Sequence, residues 1–512
     1  MMDGINSANP SEELGFSQKK PRSFWVIVVL VFILAGAIRV LYLNTPGMAI
    51  DREFHSALIA RSYYYQMTDS VAEWRRDVAL VSKQRAGVIE PPIMEVLASL
   101  LYRLVNREQL WLARLLASVF WLVGGIFLFK IVERIESFEA AIFSTAYYLF
   151  VPLGVMISRS FQPDSLMIMM FIISLFIIVW YFERPTLIRF VTAASFSSFT
   201  IFIRPFVLFP LLGAYSALAI IRSRSLKRVV DTRFFVYIVV ILLPTALFYG
   251  YGIFVTGYIK REVGLVILPL LLLSSDYWKQ WLLTAANAVG YTALIAALVG
   301  LPMLRKGLPR ALLIGLWTGY AVFCLVFSNH IRFASYYHLQ LVVIVALSFA
   351  PIITLVANYL RQVSKPWYWW LPVIGALLLV IFFNIRDIRR SLATPRKLES
   401  EEIGQEIGRI VGHSHRVVYV APAYGTPLEY YAELSGEYWP RRTSDTDRAL
   451  GYEREQSVEQ RLAALDFGPE YFVITDFDEF NRHHADLKEF LVDNYPLLAE
   501  SDNYLIYRVP TD

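Results

Sequence analysis

The stretch "FWVIVVLVFILAGAIRVLYLNTPGMAIDREFHSALIARSYYY", residues 24–65, decides how the chain is read. Its first part, 24–43, is a single apolar run about as long as the ~20 residues that cross a bilayer core as a helix. "KKPR" precedes it, as in a signal peptide, but the run is long and "NTPGM" is a poor small-residue cleavage site, so it reads as a retained anchor. The chain leaves this run into Asp51, Arg52, Glu53 and His55. Charge beside a membrane-embedded helix is costly and needs partners or a task.

Composition makes the anchor one of many. Of 512 residues 56% are hydrophobic and 15% aromatic, and the mean hydropathy is +0.47, well above a soluble chain. The one cysteine, Cys324, sits in an apolar stretch, which excludes an intramolecular disulfide or a cysteine-based metal site. A net charge of +5 without a uniformly basic face gives no support for nucleic-acid binding.

Further apolar runs lie at about 110–131, 138–157, 164–182, 187–203, 205–221, 234–254, 286–304, 311–328, 338–358 and 368–385, giving about eleven spans. The short "RP" joint at 204–205 leaves 187–221 as two helices or one broken one, and "LVILPLLLL" at 265–273 as re-entrant or interfacial. With the N-terminus in the cytoplasm, "KIVERIES", "FERPTLIR", "RSRSLKRVVDTR", "RKGLPR" and "RQVSK" fall on the inner side. That Lys/Arg bias orients the protein N-in and C-out. The expected organisation is a cytoplasmic tail over 1–23, a membrane domain over 24–392 and an extracytoplasmic domain over 393–512.

Two large pieces lie outside. Residues 44–109 contain two amphipathic stretches, about 51–67 and "EPPIMEVLASLLYRLV" at 90–105, both suited to the membrane interface. In the C-terminal piece "RVVYVAP", "EYFVITD" and "NYLIYRV" read as strands, and "TPLEYYAEL" and "ADLKEFLVDNY" as helices: a small α/β domain. No glycine-rich phosphate loop follows its strands.

The outside loops carry the chemistry. Loop one holds Asp51, Glu53, His55, Arg61 and Glu90; the next holds Arg159 and Asp164; later ones hold Lys260, Arg261, His330, Arg332, Tyr336, Tyr337 and His338. Carboxylates that act as general base, beside arginines that hold a phosphate, suit transfer from an anionic lipid donor. Plainer roles compete. Asp51 and Asp164 each stand where an N-cap stands, Arg204 suits snorkelling to the interface, and Tyr63, Tyr64 and Tyr65 suit an aromatic belt. His330 and His338 suit interfacial hydrogen bonding, and His483 and His484 the surface.

The long first outside loop with its early acid, the proline-led helix after Glu90, "WLARLLASVF", "QPDSLMI" and "SYYHLQLVVIVAL" together resemble the GT-C fold glycosyltransferases. Within that fold the pattern is similar to the protein O-mannosyltransferases and lipid A aminoarabinose transferases, which use polyprenyl-phosphate sugars. The resemblance covers about residues 24–385. It implies a mainly α polytopic fold, with Asp51 as general base or acceptor-orienting acid, Glu53 as its companion and Asp164 as the second-loop acid beside the donor phosphate. The family's tyrosine pair falls on Tyr336 and Tyr337. Three positions depart: Glu90 stands where aminoarabinose transferases have lysine, Ala334 where related members have histidine, and Gln340 where proline follows the tyrosine pair. Phosphate neutralisation therefore shifts to Arg61, Arg159 or Arg332, with His330 or His338 in place of the missing histidine.

The implied reaction is an inverting transfer from a polyprenyl-phosphate sugar to a lipid, glycan or protein acceptor, on the periplasmic or extracellular side of a bacterial inner membrane. The reaction implies no particular cofactor: arginines or a divalent cation, Mg or Mn, can neutralise the monophosphate leaving group. The rivals are a flippase or transporter of lipid-linked glycans, which would show repeated halves that this sequence lacks, and a noncatalytic assembly subunit of the same fold.

Overall fold

The computed structural model describes residues 22–41, 43–44, 50–223, 231–257, 259, 267–363, 368, 370–393, 400–439 and 456–510. Lys260 and Arg261 lie outside them. The chain is a polytopic bundle capped by a small α/β domain. Helix α1 is Arg22–Val40, α2 Ile50–Gln66, α3 Glu73–Ala86, α4 Ile93–Leu104 and α5 Leu110–Ile135. They are followed by α6 Phe138–Phe150, α7 Pro152–Ser158, α8 Asp164–Glu183, α9 Leu187–Ile203 and α10 Leu208–Ser223.

Among the described residues seven helices are long and apolar enough to cross a membrane, and up to nine spans result if each bent pair is one. The expected run 138–157 is such a pair, α6 and α7, bent by 59° at Pro152. The run at 286–304 begins earlier than expected, as Ser275–Val289 joined to Tyr291–Met303 at 93°. Gly290, at φ 86°, makes that corner. The runs at 24–43 and 187–203 form shorter apolar helices, Trp25–Val40 and Leu187–Ile203. The described part of 265–273 is a 3₁₀ turn, Pro269–Leu273, not a span.

Lipid tails are as apolar as leucine, so buried helices associate through small residues and hydroxyls. Gly213 of α10 faces Gly315 and Gly319 of the helix Leu308–Val326 so closely that a Cβ on any of the three would strike backbone of the other helix. Ser174 and Thr200 share a 2.9 Å hydrogen bond between α8 and α9.

The loops gather at two ends of the bundle. Arg134 pairs with Glu183, Arg222 donates to the Phe182 carbonyl at 2.9 Å and Arg361 reaches Glu139 at 2.6 Å, all at one end. The other end gathers loop one, Asp164, Arg204 and the turns His330–Arg332 and Ser335–His338 beneath the C-terminal domain.

That domain carries a five-stranded sheet in the order β2-β1-β3-β5-β4, with β1 Val417–Val420, β2 Gly436–Tyr438, β3 Tyr471–Ile474, β4 Leu497–Glu500 and β5 Leu505–Arg508. β1 runs parallel to β2 and β3, and β5 antiparallel to β3 and β4. Residues alternate between faces. Val417, Tyr419 and Val473 pack on Ile407 and Leu428, while Val418, Val420 and Phe472 pack on Leu487 and Leu491.

Loop one holds three helices, not two, because α3 is charged along most of its length and buries only Val78, Ala79 and Ser82. α4 turns Val96, Leu100 and Leu104 outward. The C-terminal helix Thr426–Ala432 covers α2, and α3 and α4 flank it. Tyr64 and Tyr65 are accordingly buried, not in a belt.

Candidate active site

The site is assembled by breaks in helices. Pro205 has no backbone N–H and disfavours a helical residue before it, so Arg204 is extended at φ −153°, ψ 126° and ends α9. Its guanidinium turns inward, nearly sealed from solvent. Glu90 likewise precedes a proline, Pro91, in the stretch between α3 and α4. Asp164 opens α8 behind Pro163 and makes no capping bond, which leaves its carboxylate at the positive end of the helix dipole.

These groups form one chain of charge. Arg52 pairs with Glu90 at 3.0 Å, Glu90 with Arg204 at 2.7 Å, and Arg204 with Asp164. Burial opposes ionisation of Glu90, but Arg204 and Arg52 outweigh it and hold the carboxyl below its usual range. The Tyr336 ring lies 5.7 Å from the Arg204 guanidinium and feels the charges of Arg52, Arg204, Asp164 and Asp51. Tyr337 stacks on Phe206 at 4.4 Å. Asp51 and Asp164 thus approach Tyr336 from two different elements, and among the described residues the Asp51 carboxylate has no hydrogen-bond partner.

The other candidates are placed elsewhere. Glu53, fully buried, is held by Arg114 Nε at 2.5 Å; Arg114 also donates to the Leu43 carbonyl at 2.9 Å. Arg61 points up to the C-terminal domain, where it pairs with Glu108 at 3.0 Å, donates to the Tyr430 carbonyl at 2.6 Å and covers the Tyr430 ring at 3.8 Å. His338 is consumed by Tyr320 Oη at 2.6 Å and the Ile331 carbonyl at 2.8 Å. Arg332 binds Gln280 and Asn329 at 3.3 and 3.2 Å, His330 stacks on Tyr337 at 5.9 Å, and Arg159 is buried near Arg39.

Sequence reasoning set aside two residues that the chain of charge contains. The sequence pattern assigns Arg52 no role, and it suits Arg204 to snorkelling. The available signal was the X-Pro break shared by Glu90 and Arg204. Among the described residues no three His, Cys, Asp or Glu side chains come together as a metal-ligand set, so Mg or Mn has no ready-made ligand group there.

Residues 89–249 match the family described as dolichyl-phosphate-mannose-protein mannosyltransferase. A comparison with curated proteins finds no match. Among solved structures, ArnT from Cupriavidus metallidurans in the apo state is similar at TM-score 0.59 and 14% identity, over 94% of this chain and 97% of that one. The same protein bound to undecaprenyl phosphate is similar at TM-score 0.56 and 13% identity, with the same coverage. The apo oligosaccharyltransferase of Archaeoglobus fulgidus is similar at TM-score 0.55 and 12% identity, over 90% of this chain and 70% of that one. The chain thus has the GT-C fold, similar to ArnT over 94% of its length, and its residues 89–249 match the protein mannosyltransferase family.

Proposed function

We propose that the protein transfers a sugar from a polyprenyl-phosphate carrier to an acceptor on the extracytoplasmic side of a membrane. The observation that carries this reading is the ion-pair chain Arg52–Glu90–Arg204–Asp164, half-buried at Arg52 and Glu90 and sealed at Arg204 and Asp164, one residue from Asp51. The undecaprenyl phosphate held by the matched ArnT structure supports a polyprenyl donor.

The donor phosphate engages Arg204 and Arg52, which lie closer to the site than Arg61 or Arg332. Guanidinium forks suit phosphate, and a water-poor site strengthens their pull on charge that develops as the sugar departs. Asp51 takes the proton of an acceptor hydroxyl as its oxygen attacks the anomeric carbon. The sugar–phosphate oxygen bond breaks on the opposite face, so the configuration inverts and the lipid phosphate leaves. Glu90 and Asp164 keep both guanidiniums pointed at the site between turnovers, and Glu53 fixes α2 through Arg114.

The test is sugar transfer from a panel of undecaprenyl-phosphate sugars by the full chain in lipid nanodiscs, with Asp51→Asn and Asp164→Asn variants. Loss of transfer in both, with folding intact, supports the assignment. Full retention by both removes the roles given to Asp51 and Asp164, and absence of transfer by the wild type with every donor leaves a flippase or assembly subunit.

A further inference from the structure

A cleft of about 630 Å³ lies between α2, α3 and the C-terminal sheet. It begins one helical turn from Asp51, since His55 on the same face of α2 lines it, and residues four apart on a helix are neighbours. Thr426, also in its wall, reaches the Asp51 carbonyl at 3.4 Å. A molecule filling the cleft would therefore have one end within reach of the general base.

The wall chemistry narrows what that molecule is. Glu429, Glu437 and Asp466 set three carboxylates against Arg85 and His55. Arg85 is occupied by the His415 carbonyl and the face of Phe467. Such a wall repels phosphates and carboxylates, in contrast to the arginine-held donor site. Carboxylates are instead good acceptors for hydroxyl groups. Glu429 is already oriented by Tyr419 Oη at 3.0 Å and the Gly436 N–H at 2.9 Å. Burial pushes its carboxyl up to about 7, so near neutrality it can both accept from and donate to a hydroxyl.

Two tyrosines supply the apolar surface. Tyr424 is 67% exposed and meets Tyr438 edge-on at 5.5 Å; both line the cleft. Tyr424 and Ala423 hold φ of 55° and 51°, two successive left-handed residues that are not glycine. Such backbone strain gathers at binding sites. Here it presents an aromatic face to an open cleft.

We propose that this cleft binds the acceptor, and that the acceptor is an uncharged or amino-bearing saccharide, its hydroxyls taken by the carboxylates and its C–H face laid on Tyr424. This rests on the transferase reading for its connection to Asp51, but saccharide binding is measurable without turnover. The experiment titrates full-length protein in nanodiscs with neutral and amino-sugar oligosaccharides, an anionic oligosaccharide and a hydroxyl-rich peptide, following saturation-transfer NMR.

Binding of a neutral or amino-sugar oligosaccharide is expected, weakened at least tenfold by Tyr424→Gly and restored by Tyr424→Phe. Glycine suits φ 55°, so that variant removes the ring and relieves the backbone. Undecaprenyl phosphate binding is expected unchanged in both. Absence of binding by every neutral and amino sugar, preference for the peptide or the anionic sugar, or indifference to Tyr424→Gly overturns the proposal. If Asp51→Asn abolishes transfer to a peptide while no saccharide binds, the acceptor assignment falls and the transferase reading stands. If saccharide binds as expected but Asp51→Asn and Asp164→Asn transfer normally, the acceptor assignment stands and the roles given to those two carboxylates fall.

Discussion

Glu53 accepts a 2.5 Å hydrogen bond from Arg114 Nε with both side chains shut away from water, two residues from Asp51 on the same helix. Removing one member of a buried pair strands the other charge at a cost of about 3–5 kcal/mol, whereas replacing both with apolar residues is often neutral. Glu53→Gln and Arg114→Met should each lower thermal stability markedly in detergent, and Glu53→Leu with Arg114→Leu should recover most of the loss. Additive damage in the double variant would show that the pair is not the unit.

Asp51→Asn should lower transfer by about 10²–10⁴-fold, the usual worth of a general base, while leaving undecaprenyl phosphate binding intact. Arg204→Met should instead lose lipid phosphate binding, with Arg204→Lys only partly restoring it because an ammonium lacks the planar fork. Binding to immobilised protein, measured beside transfer rates, separates the two effects.

The ties between loop one and the C-terminal domain should differ in strength. Arg61 and Glu108 are nearly sealed, with side chains 8% and 13% exposed, so Arg61→Met should cost about 3–5 kcal/mol. Arg75 bonds Glu433 at 2.5 Å, but its side chain is 44% exposed, and exposed pairs contribute only about 0–1 kcal/mol. Arg75→Met should therefore unfold within a degree or two of wild type, as followed by intrinsic fluorescence.

Two titrations should shape stability against pH in opposite directions. Burial, with Arg52 beside it, holds His55 down to about 4 from the usual 6.5. As pH falls below about 6.5 the unfolded chain takes up a proton that the folded one refuses, so stability is lost between about 6.5 and 4. Glu429 is pushed up to about 7 by burial, and its contribution is full below about 4.5 and lost as pH rises toward 7. His55→Gln should flatten the acid limb of a melting-temperature profile and Glu429→Gln the neutral limb.

Much of the architecture was legible because the physics behind it is local. Apolar runs such as 110–131 and 164–182 appear as helices close to their expected limits, and "RVVYVAP" and "EYFVITD" become strands buried on both faces. The missed elements are those whose burial comes from distant partners. Strand Gly436–Tyr438 is three residues long, Leu497–Glu500 is largely exposed, and α3 is stabilised by a domain more than 300 residues further along. For the site, proximity of the charged loops followed from topology, but partner choice did not. That Arg61 turns upward while Arg204 turns inward depends on Tyr430, Glu108 and the Pro205 break, none adjacent in one pattern.

The four groups that run from Arg52 to Asp164 are electrically even, two cations against two anions. An unloaded site of this kind needs no counter-ion from water or lipid. An arriving phosphate upsets that parity. The guanidiniums must turn away from their carboxylates, and a carboxylate deserted beside a phosphate gains a proton. Donor capture would then draw a proton from solution and lipid-phosphate release would return it, so calorimetry in buffers of different ionisation enthalpy should see the carrier arrive as an acid–base event.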